Sequence, residues 1–83
     1  MPYLEEMKER LKKLIKNKKV IYLKIKASIK LLENLTDLVE KEGTGFTGEL
    51  RNTWERFRNL MDAYIDTLDE IRIAERDIEG FQG

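Results

Sequence analysis

Eighty-three residues allow one domain at most, and 39% of them are charged against 8% aromatic, a balance that suits long exposed helices better than sheets. The chain has no cysteine and no histidine, which excludes disulfides, thiolate and imidazole zinc sites and the commonest nucleophile–base pairs. Its net charge is zero but unevenly placed: residues 1–30 hold ten Lys/Arg and three Glu, a balance of +7, and residues 31–83 hold six Lys/Arg and thirteen Asp/Glu, a balance of −7.

The single proline, Pro2, suits the first turn of a helix, where its missing N–H costs nothing. Glu5, Glu6 and Glu9 then favour the positive end of the helix dipole. No Gly or Pro follows until Gly43, so the first helix is expected over about 3–42. Leu4, Met7, Leu11, Leu14, Ile21, Ile25, Leu32, Leu35 and Val39 alternate at three and four residues, with Lys18 and Ser28 as polar interruptions. That is the a/d stripe of a heptad repeat. Ile15, Tyr22 and Ile29 add an adjoining stripe at e, and Val20, Leu23, Ala27, Leu31 and Leu38 lie round another side. An apolar arc this wide points to packing on two neighbours, as in a four-helix bundle.

Gly43, Gly45, Phe46 and Gly48 mark a turn at about 43–47, with Gly43 placed to end the first helix and Thr44 or Thr47 placed to cap the next. A corner this short makes the helices antiparallel. The second helix is expected over about 48–79, with Gly80 and Gly83 at its fraying end. Its a positions are Leu50, Phe57, Tyr64, Ile71 and Ile78. Its d positions are Thr53, Leu60, Thr67, Ala74 and Phe81, and Trp54, Met61 and Leu68 occupy e. Folding back places the basic segment Lys8–Lys30 beside the acidic segment Asp62–Glu79. Such pairs act more on orientation than on stability, at roughly 0–1 kcal/mol each.

Candidate chemistry is sparse. Asp62, Asp66 and Asp69 share one helical face, but metal or acid–base work needs ligands converging from several elements, so a solvated acidic face is the simpler reading. Lys12, Lys13, Lys16, Lys18, Lys19, Lys24, Lys26 and Lys30 scatter round the first helix without a recognition helix or interleaved aromatics, which argues against a phosphate-binding stripe. The glycine-rich turn lacks the Lys-Ser/Thr of a phosphate loop. Trp54 and Phe57 read first as core aromatics and second as interface anchors. No run approaches the roughly 20 apolar residues of a membrane span, and the acidic start lacks a signal-peptide pattern.

Phe46-Thr47-Gly48, followed by Trp54, Phe57, Leu60, Leu68, Ile71, Ala74 and Ile78, resembles the second half of the WXG100 (ESAT-6-like) family, short helical hairpins with a Trp-x-Gly turn. The specific signal covers about residues 43–81. Phe46 stands where the family has Trp. The family's Tyr-x-x-x-Asp/Glu export signal has no counterpart, since Tyr64 is followed four residues on by Leu68. The resemblance implies a partner role in type VII secretion, through antiparallel homodimers or heterodimers, or on the helical targeting domain of a secreted toxin alongside a second small helical protein.

The expectation is therefore an all-α, antiparallel two-helix hairpin that associates with a partner chain into a four-helix bundle. It is expected to need no cofactor, to catalyse nothing and to span no membrane. It is expected to reside in the cytoplasm or to leave it by a route that needs no signal peptide. Leu14, Ile21, Ile25, Leu32, Leu50, Trp54, Phe57, Met61, Tyr64 and Leu68 are the expected partner-binding residues. The competing readings are a nucleic-acid-associated hairpin using the Lys stripe and a purely structural oligomerisation module.

Overall fold

A computed structural model describes residues 2–82, all helical except for one corner residue. Helix α1 spans Pro2–Glu42 and helix α2 spans Thr47–Gln82, joined by Gly43 and a single 3₁₀ turn, Thr44–Phe46. The two helices fold back antiparallel into a hairpin measuring 61 × 14 × 14 Å along its principal axes. That length is what 41 residues of α-helix give at about 1.5 Å each.

The corner is built by one glycine. The Gly43 N–H donates to the Val39 carbonyl at 2.9 Å and closes the last turn of α1. Its φ of 84° and ψ of −149° lie in a region open essentially to glycine alone. Gly43 is the only described residue with a positive φ, so Gly45 and Gly48 are not required by backbone conformation. Neither expected threonine cap forms in the expected way. The Thr47 hydroxyl donates to the Thr44 carbonyl at 2.9 Å, tying down the 3₁₀ turn instead of accepting a helix N–H.

Helix α2 runs past its expected end at residue 79. Gly80 lies inside the helix, and the ring centroids of Phe81 and Tyr3 sit 5.7 Å apart across the hairpin. Ile78, buried one turn earlier, anchors the same segment. Tertiary contact here outweighs the helix-weakening effect of one glycine, about 1 kcal/mol. Gly83, the other expected end marker, lies outside the described residues.

The heptad frame maps onto burial closely. In α1 every a and d residue from Leu4 to Val39 is buried or half-buried, Lys18 and Ser28 included, and all other α1 side chains described are exposed. In α2 the a and d residues from Leu50 to Ile78 behave likewise, and only Met61 and Ala63 join them. The seam between the helices is thus a two-stranded antiparallel coiled-coil packing. Its best-buried members are Ile25, Leu35, Ile71 and Ile78, with Thr53 and Thr67 as small polar d residues. The Thr67 hydroxyl donates to the Ala63 carbonyl one turn back, at 2.8 Å, so the seam holds it without an unpaired donor.

Candidate partner-binding face

In an antiparallel pair, e positions lie beside e positions on one flank, and g beside g on the other. The Tyr3–Phe81 pair fixes the register at the open end. Carried along the seam, that register sets Ile15 level with Leu68, Tyr22 with Met61 and Ile29 with Trp54. These six residues form one strip along the e flank. All but the half-buried Met61 are exposed: Trp54 at 53% and Ile15 and Tyr22 at 46% each. Ile65, at 50%, extends the strip outward. Trp54 packs at a tilt on Phe57, with ring centroids 5.7 Å apart, and about half of its surface stays exposed.

The strip has a concave stretch near its middle. Ile15 and Tyr22 of α1 meet Tyr64 of α2 in a shallow groove whose sides include Lys16, Lys18 and Lys19. A second groove lies toward the open end, where Tyr3, Met7 and Arg10 face Glu70, Ile73 and Asp77. Arg10 is the one cation of its lining, among Glu6, Glu70 and Asp77.

The structure divides the ten expected partner-binding residues between two places. Leu14, Ile21, Ile25, Leu32, Leu50, Phe57 and Tyr64 belong to the intramolecular seam. Ile25, 7% exposed, has no surface left to offer. Trp54, Met61 and Leu68 are on the e flank. Trp54 therefore departs from its first reading as a core aromatic, because the hairpin's core is only one seam wide and ends at a and d. Ile15, Tyr22 and Ile29 complete the strip, although each helix taken singly shows them only as a widening of the apolar arc. The signal that places them is the antiparallel e-to-e rule applied to both helices at once. Of the turn residues, Phe46 is half-buried at the corner and Gly43, Gly45 and Gly48 are exposed.

Asp62, Asp66 and Asp69 are exposed. Among the described residues no group of three carboxylates is placed to hold a metal ion, and no helix is long and apolar enough to cross a membrane. No family model, curated protein or solved structure matches the chain.

Proposed function

We propose that this chain is a non-enzymatic helical adaptor that completes its core by laying the e flank against helices of another chain, giving a four-helix bundle when that chain is also a hairpin. The carrying observation is surface. A compact chain of 9.9 kDa exposes about 5,200 Å². This one exposes 6719 Å², roughly 1,500 Å² more. A stable interface takes about 800 Å² from each partner, so the surplus suffices for one, and the strip from Ile15 to Leu68 supplies its apolar centre. The WXG100 resemblance, carried by Phe46, Gly48 and Trp54, makes a second hairpin or the helical targeting domain of a type VII secreted toxin the matching kind of partner.

The test is the state of the purified chain. Alone it should either associate or unfold over a broad temperature range, and its helical signal and melting temperature should rise when a partner is bound. A monomer at micromolar concentration that melts sharply by itself, measured by light scattering and circular dichroism, overturns the reading.

A further inference from the structure

Resting on that adaptor reading, we infer that the e flank takes an amphipathic helix edged with Asp and Glu, supplied by a different chain and not by a second copy. The positions just outside the apolar strip are the b positions of each heptad. Along the strip these are Lys12, Lys19, Lys26 and Glu33 on α1, and Arg51, Arg58, Ile65 and Arg72 on α2. All eight are exposed, and six of them are cations.

Between residues 8 and 32 of α1 and between 51 and 72 of α2, no e or b position carries an acid. The acids of that part of α2 (Glu55, Asp62, Asp66, Asp69 and Glu70) all fall at c, f or g, on the other sides of the helix. A chain with equal numbers of acids and bases has therefore sorted them, leaving most of the apolar strip bordered by cations on both sides, with Glu33 beside Ile29 and the apolar Ile65 as the exceptions.

This sorting selects the partner in two ways. A second copy docked through the same flank would set Lys and Arg rows against Lys and Arg rows, and like charges facing each other across an interface penalise that pairing. A helix with acidic edges meets the rows with opposite charge while its apolar stripe covers Ile15, Tyr22 and Trp54. Shape favours the helix over a flat anionic surface. Between Ile15 and Tyr22 the face holds a shallow groove lined also by Tyr64 of α2 and by Lys16, Lys18 and Lys19. A convex cylinder fills such a groove, and a lipid bilayer spans it.

The full chain is titrated with three synthetic helical peptides that share one Leu/Ile stripe and differ at its edges, carrying Glu, Gln or Lys. Mixed phosphatidylcholine–phosphatidylserine vesicles and a short DNA duplex are titrated in parallel. The Glu-edged peptide should bind about tenfold or more tighter than the Gln-edged one at low salt, and the advantage should shrink as salt rises. The Lys-edged peptide should bind weakest. Combining Lys19→Glu, Lys26→Glu and Arg58→Glu, all at exposed sites, should abolish the advantage of the Glu-edged peptide over the Gln-edged one without loss of helical signal. If that variant does not fold, the salt dependence of the unsubstituted chain decides the same question.

Equal binding of the Glu- and Gln-edged peptides overturns the charge inference while the adaptor reading stands. So does a tight dimer of the chain alone that excludes every peptide. Binding to vesicles or DNA with no peptide bound overturns both, as does a chain that binds none of these probes and melts sharply as a monomer.

Discussion

The seam and the e flank are made of the same kinds of residue, yet Ile25 in the seam is 7% exposed and Ile15 on the flank is 46% exposed. Sequence hydrophobicity does not separate them; angle does. In a pair of helices only the a and d residues point at the neighbour, so a hairpin can close one stripe and no more. Apolar residues beyond that stripe contribute little to the hairpin and remain available to a third helix. The seam accounts for the fold, and the flank is what the fold presents.

The sharpest way to separate the two regions is one truncation made in each. Ile25→Ala should destabilise the hairpin by about 2–4 kcal/mol, because it removes a nearly fully covered side chain from a core one layer thick. Ile15→Ala should cost less than about 1 kcal/mol, since its side chain is half in water already. Thermal unfolding followed by circular dichroism measures both. Equal losses would mean that Ile15 belongs to the core and that no separate flank exists.

Next in size is the corner, on which both regions depend. Gly43→Ala places a Cβ on a backbone at φ 84° and ψ −149°, with no neighbouring atom within 4 Å to clash. The cost is therefore purely conformational, about 1–3 kcal/mol. Gly45→Ala should be neutral or slightly stabilising, since its φ is not positive and space is open around it. If the two substitutions have the same effect on the melting temperature, the corner is not set by Gly43, and the register that aligns the two e rows loses its support.

Much of this is legible in the residues. The a/d frame of each helix, the corner glycine and the antiparallel return of the chain follow from three-four spacing and one break. Which stripe faces the chain's own second helix is harder to read, because Leu14 and Ile15 are both aliphatic and both lie on the one wide apolar arc. The heptad frame sets Leu14 at d and Ile15 at e, and pairing the two frames through the corner turns that difference into seam and flank. Trp54 misleads for a related reason: indole is large and apolar, so it reads as core, but at an e position of a hairpin there is no core to enter. The lysines mislead differently. Taken together they scatter, and only the heptad frame shows that Lys12, Lys19 and Lys26 form one row. Gly80 reads as a stop and so ends α2 too early, whereas the fold holds that turn through Ile78 and Phe81.

Lys18 sits between the two regions, at an a position of the seam yet lining the groove of the flank. Register places it level with Thr67, so one layer of the seam holds little apolar volume. A polar residue at one a position fixes register and partner number at a cost in stability. Lys18→Leu should therefore raise stability by about 1–2 kcal/mol. It should also promote association of the chain with itself, because it removes a cation from the border of the groove. Equilibrium sedimentation and melting temperature read the two effects separately. A destabilised variant would show that Lys18 contributes favourable contacts which Leu cannot replace.

The smallest expected effect on the hairpin is also the most informative about the flank. Trp54 is the largest side chain on the strip, and its indole, 53% exposed, leans on Phe57 and otherwise faces water. Trp54→Ala exchanges a moderate helix former for the best one and uncovers only part of Phe57, so hairpin stability should change by less than about 1 kcal/mol. Binding behaves differently, because buried aromatics at the centre of an interface commonly contribute about 2 kcal/mol or more when they are enclosed. The Glu-edged peptide should therefore lose roughly thirtyfold in affinity for this variant while the melting curve of the free chain hardly moves. A variant that loses stability and keeps its affinity would place the indole in the fold and leave the flank without its anchor.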